Sequence, residues 1–99
     1  MRKLTDLIRA YPYVWIFCRT EDLQIQFLNQ LETEGFKALN GQNPTELFHH
    51  QLYGINDDMT MGYLSSMIWV FSARNACDDP IRVDYEKYIT DEDDYFVKM

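Results

Sequence analysis

The period of the apolar positions changes several times along this chain, and each change predicts an element. Leu4, Leu7 and Ile8 recur at helical spacing, with Thr5 and Asp6 near the start. They predict a short helix that ends before Pro12. The run from Tyr13 to Arg19, YVWIFCR, is dense in β-branched and aromatic residues and predicts a buried central strand. Thr20 then reads as an N-cap, with Glu21 and Asp22 in the first turn, where the helix dipole favours anions. Leu23, Phe27, Leu28 and Leu31 form one apolar stripe, opposite a polar face of Gln24, Gln26, Asn29, Gln30 and Glu32. Gly35 is the natural stop. These signals predict a principal helix over 21–34.

The later pattern is strand-like. Phe36 to Leu39 predicts a short strand, and Asn40-Gly41-Gln42-Asn43-Pro44 a loop, after which Thr45 caps a single helical turn. Period-two alternation on either side of Asn56-Asp57-Asp58 predicts a hairpin of 47–55 with 59–64. Ser65-Ser66 reads as a bend, and Met67 to Ser72 as another strand. Arg74 to Pro80 is a polar loop, and Ile81, Val83 and Tyr85 mark a half-exposed last strand. Lys87-Tyr88-Ile89 turns helical, and Tyr95-Phe96-Val97 forms a final short strand. The fold class is α+β: an antiparallel sheet of four to five strands packed on one principal helix, plus a short N-terminal helix. The expected core is Val14, Ile16, Leu23, Phe27, Leu31, Ile68, Val70, Ile81 and Val83.

Ninety-nine residues make a single domain, 1–99, large enough to fold without a metal or disulfide. The N-terminal MRKLTDLIRA lacks a long apolar core and a small-residue cleavage site, so no signal peptide is expected. The most apolar stretch, 59–73, is too short and interrupted to span a bilayer. Both observations point to the cytoplasm, where Cys18 and Cys77 are expected as free thiols.

Charge changes the picture most. The segment from Cys77 onward holds eight acidic residues against three basic, so it carries five of the chain's seven net negative charges. Aromatic residues run through it, unlike a solvated disordered tail. A pI near 4.6 makes direct nucleic-acid contact and anionic membranes poor partners, because both need clustered Lys and Arg. It suits a basic protein surface instead. The bland account is that the charge keeps a small domain soluble.

Candidate chemistry is thin. His49 and His50, adjacent on a predicted strand, would point to opposite faces and cannot readily share a metal. Cys77 lies beside carboxylates, which raise a thiol's pKa and weaken it as a nucleophile. Asp57/Asp58, Asp78/Asp79 and Asp93/Asp94 could serve a hydrolase, but all fall in predicted turns, which favour Asp for backbone bonding. The 91–94 run lacks the spacing and glycine of a calcium loop. No phosphate-binding glycine loop, zinc spacing or nucleophile elbow is present. No cofactor, metal or enzymatic activity is therefore expected. Tyr85, Tyr88 and Tyr95 flank carboxylates, either as core rings with hydroxyls at the edge or as interface anchors.

The stretch RVDYEKYITDEDDY, together with EGFKALNGQNPTE and GINDDMTMGYLSSMIW, resembles small acidic proteins carried by phages, plasmids and conjugative elements of Gram-positive bacteria. Such proteins are often similar in function to anti-restriction and anti-CRISPR inhibitors. The resemblance carries over no catalytic residue. It implies a non-enzymatic interaction protein that occupies a basic nucleic-acid-binding groove of a host defence nuclease. The expected contact residues are Asp84, Glu86, Tyr88, Asp91, Glu92, Asp93, Asp94 and Tyr95. The alternatives are a small-ligand or nucleotide-binding accessory domain and a metal-dependent hydrolase using loop aspartates.

Overall fold

The computed structural model describes residues 2–64 and 81–97. The strand expected over 67–72, the neighbouring bend and polar loop, the core positions Ile68 and Val70, and Cys77 all lie outside the described residues. The observed elements are α1 (Leu4–Ala10), β1 (Tyr13–Phe17), α2 (Glu21–Glu34), β2 (Lys37–Ala38), a 3-10 turn (Pro44–Glu46), β3 (Leu52–Asn56), β4 (Thr60–Tyr63), β5 (Ile81–Asp84) and α3 (Tyr85–Ile89).

The fold is α+β, with a five-stranded sheet in the order β2-β4-β3-β1-β5. β3 lies antiparallel to β1 and β4, while β5 pairs parallel to β1 and β2 parallel to β4. The sheet is therefore mixed, with β3 running against the other strands. The parallel pairs come from long connections. α2 carries the chain from β1 to the far edge, three strand spacings away, about 14 Å at 4.8 Å each. A helix of 14 residues, about 21 Å long, can cross that width.

α2 begins and ends as its caps dictate. Thr20 Oγ1 accepts from the Leu23 N–H at 3.3 Å. Gly35 takes the left-handed conformation (φ 94°), and Phe36 N donates back to Leu31 O at 2.9 Å. Phe27 is fully buried, 5.1 Å from the rings of both Tyr53 and Tyr85. Val14, Ile16, Leu23, Leu31 and Val83 join it in the core, whereas Ile81 is only half-buried at the start of β5.

Two glutamines depart from the expected polar face. Gln24 and Gln30 are buried, because each satisfies polar groups the fold must enclose. Gln24 Nε2 donates to Cys18 O at 3.2 Å. Gln30 Nε2 donates to Arg2 O (2.9 Å) and to Glu34 Oε2 (2.7 Å), and its Oε1 accepts from the Tyr85 hydroxyl at 2.6 Å. Glu34 in turn accepts from the backbone N–H groups of Leu4 (3.0 Å) and Thr5 (2.9 Å). The last residue of α2 thus caps α1, whose own N-cap, Lys3, makes no side-chain capping bond.

The hairpin is shorter than the alternation predicts. β3 begins at Leu52, because tyrosine hydroxyls take up the backbone before it. Phe48 N donates to Tyr63 Oη (2.5 Å), Tyr53 Oη donates to Phe48 O (3.1 Å), and His50 N donates to Tyr53 Oη (2.8 Å). His49 and His50 consequently sit on a loop, not on a strand as expected.

Both sheet edges are closed. At β2, the Asn40–Gln42 turn folds back so that Ala38 N donates to Gln42 O (3.0 Å) and Gly41 N to Ala38 O (2.9 Å). At β5, Asp84 N donates to Tyr95 O (2.7 Å), Val97 N donates to Arg82 O (2.9 Å), and Val83 bridges to Phe96. The expected final strand is this one-bridge cover. It removes an open edge that would otherwise invite pairing with another chain.

Candidate functional site

The described part of the acidic segment, 81–97, runs along β5, forms α3 and returns along β5. Its first two carboxylates, Asp84 and Glu86, are committed to local structure. Asp84 caps α3, accepting from the N–H groups of Glu86 (3.1 Å) and Lys87 (3.4 Å). Glu86 faces Arg19 across a 3.3 Å ion pair. Asp84 also lines a cleft of about 320 Å³ with Phe17, Lys87, Asp94, Phe96 and Val97. The fold therefore brings the two ends of the acidic segment to one place.

Asp91 turns the chain out of α3 in the left-handed conformation (φ 62°). This region is costly for most residues but tolerated by Asp. Asp91, Glu92, Asp93 and Asp94 are all exposed. Glu92 N donates back to Lys87 O at 3.1 Å, and the bond between Asp84 and Tyr95 holds the other end. The four acids thus sit on a loop anchored at both sides.

The tyrosines divide. Tyr85 is fully buried and Tyr88 is 3% exposed, so both belong to the core side of the two expectations. The Tyr88 hydroxyl donates to Lys3 O at 2.5 Å. Its pKa is pushed up to about 12, first by burial and then by the Asp6 carboxylate. Tyr95 is half-buried and meets Tyr88 edge-to-face at 4.9 Å. The contact set drawn from sequence therefore holds one buried ring, one half-buried ring, two carboxylates engaged in capping and ion pairing, and one exposed acidic loop.

Sequence reasoning missed Arg2. Its Nε lies 3.4 Å from Asp91 Oδ1, and Nη1 donates to Glu92 O at 2.8 Å. Its guanidinium stands 5.4 Å from the Tyr88 ring centroid and 5.1 Å from that of Tyr95. No local signal could reveal this contact, since the partners lie some ninety residues apart.

Elsewhere, among the described residues, Leu39 (73% exposed), Phe48 (86%) and Tyr63 (43%) leave apolar side chains outside at the β2–β4 end. A cleft of about 240 Å³ lies there, lined by Ala38, Leu39, Leu47, Met61 and Tyr63 among others. Cys18 is a buried free thiol. Burial, aided by Asp84, pushes its pKa well up, so the thiolate needed for nucleophilic work is suppressed. Among the described residues, no three His, Cys, Asp or Glu side chains are grouped to hold a metal ion. No helix among them is long and apolar enough to cross a membrane. Comparison of the chain with protein-family models, with curated proteins and with solved structures returns no match.

Proposed function

We propose that this is a non-enzymatic acidic interaction protein of a mobile element. In the cytoplasm, it would present its 91–94 loop to a basic groove of a host nucleic-acid-binding enzyme and so inhibit that enzyme. The observation that supports this is the construction of the loop: four consecutive exposed carboxylates on a segment anchored at both ends. A preformed loop loses less entropy on binding than a free tail. Carboxylates can stand where phosphates would sit, and opposite potentials speed the encounter. Each exposed pair alone is worth only about 0–1 kcal/mol. The effect must therefore come from several charges together, and it must weaken with salt.

The test is capture from nuclease-treated bacterial lysate, read by mass spectrometry. A variant with Asp91, Asp93 and Asp94 changed to Asn and Glu92 to Gln should lose a nucleic-acid-binding enzyme that the unaltered protein retains. The control neutralises Glu21, Asp22, Glu32 and Glu46. Glu34 is left intact because it caps α1. Equal loss from both sets would reduce the effect to net charge and end the loop reading.

One observation favours a second reading, that of a small-ligand accessory domain: the apolar cleft between Leu39, Leu47, Met61 and Tyr63. Its volume falls below the roughly 300–1,000 Å³ usual for ligand sites. A ligand that raises the melting temperature of the protein, and fails to do so for Met61→Ala, would favour it.

A further inference from the structure

Arg2 is engaged by an ion pair, a hydrogen bond and two aromatic rings, and its partners coincide with the proposed binding loop. Two tyrosine rings meet at a near-right angle (78°) and form a corner. The Arg2 guanidinium lies against both faces, with the Asp91 carboxylate and the Glu92 carbonyl as its acceptors. A planar cation that stacks and donates in a fork suits such a corner better than an ammonium does. The Arg2 backbone is pinned independently of its side chain, by Gln30 Nε2 on Arg2 O (2.9 Å) and by Tyr88 Oη on Lys3 O. Release of the corner therefore needs only rotation of one long side chain that is already 27% exposed.

We infer that the corner of Tyr88, Tyr95, Asp91 and the Glu92 carbonyl is an arginine seat. Arg2 fills it in cis, and an arginine of a basic partner takes it by displacing Arg2. The inference rests on the acidic-loop reading above and narrows the partner to one that offers arginine. The distinguishing observation is a guanidinium already seated on an aromatic corner, beyond the acidic character of the loop. Occupancy in cis lowers the apparent affinity for an outside arginine by the fraction of time the seat stands empty.

The experiment titrates the full chain, ¹⁵N-labelled, with a hexa-arginine peptide and separately with hexa-lysine, following the amide shifts of 88–95. Arg2→Gln should bind hexa-arginine roughly tenfold more tightly than the unaltered protein, as expected if Arg2 fills the seat about nine-tenths of the time. Hexa-lysine should bind several-fold more weakly. Arg2→Lys, which keeps the charge and loses the fork, should fall between the two proteins and serves if Arg2→Gln does not fold. Equal hexa-arginine affinity for the unaltered protein and both variants, with shifts at 88–95, would overturn occupancy in cis and leave the acidic-loop reading standing. Equal affinity for the two peptides would overturn the arginine preference alone. An absence of shifts at 91–94 with either peptide would remove the acidic-loop reading and this inference together.

Discussion

Glu34 is the residue whose loss should reveal most about how this fold is held. Its carboxylate accepts from the N–H groups of Leu4 (3.0 Å) and Thr5 (2.9 Å) and from Gln30 Nε2 (2.7 Å). It places a negative charge at the start of α1, where the helix dipole favours one. We predict that Glu34→Ala removes a cap worth about 1–2 kcal/mol. Leu4 is fully buried, so water cannot easily replace the lost acceptor. A stranded buried donor costs about 1–3 kcal/mol. The contributions overlap, and about 3 kcal/mol is expected in total. At this chain length that corresponds to a melting temperature lower by roughly 12–24 °C. Glu34→Gln keeps one carbonyl acceptor and should lose about half as much. Glu32→Ala is the control. Glu32 is exposed and accepts from the Thr45 hydroxyl at the surface, so it should cost under about 1 kcal/mol. The assay is urea unfolding followed by far-UV circular dichroism, with amide exchange at Leu4 and Thr5 as a local readout. If Glu34→Ala costs no more than Glu32→Ala, the capping argument is wrong.

Three further predictions concern the core and its titratable groups. Phe27→Ala should cost about 3–5 kcal/mol, since Phe27 is fully buried between Tyr53 and Tyr85; a loss under about 1 kcal/mol in urea titration would contradict that packing. Tyr88 has its pKa raised from 10.0 to about 12, so its contribution to stability is complete below pH 10 and is lost as pH rises through 12. The part of the tyrosinate absorbance at 295 nm that is lost in Tyr88→Phe should therefore rise over that window, together with loss of the dichroism signal, and a Tyr88-dependent rise near pH 10 in the intact fold would count against it. Cys18 should resist a thiol reagent in the native protein and react on denaturation, because burial suppresses its thiolate; rapid native labelling at Cys18, located by peptide mapping, would refute this.

The acidic segment shows how far charge can be read without geometry. Composition marked it as a folded, aromatic-laced region, and its described part, 81–97, is one. It did not separate the carboxylates that stabilise the fold from those left to solvent. Asp84 is a cap, Glu86 and Asp91 meet arginines, and only the fold brings Arg19 and Arg2 to them. The glutamines of α2 carry the same lesson. At about 100° per residue, Gln24 falls inside the arc from Leu23 to Leu28, so its position already marked it as inward-facing. Its polar chemistry argued otherwise until Cys18 O was found beside it.

The sequence by itself determined the elements whose causes are local. α2 spans Glu21–Glu34 because Thr20, the apolar stripe and Gly35 define it within one stretch of chain, and Pro12 bounds α1 in the same way. Strand existence was legible in β-branched alternation, and with it the α+β class. Strand direction was not, because an alternating pattern reads the same in parallel and antiparallel pairs. The choice lies in where each connection lands. The start of β3 was equally hidden, since distant tyrosine hydroxyls engage the backbone at Phe48 and His50. Only the tertiary structure decided the cap on α1, the cover along β5 and the seat of Arg2. Each joins groups far apart in sequence, and a local pattern carries no information about a partner that chain folding alone brings near.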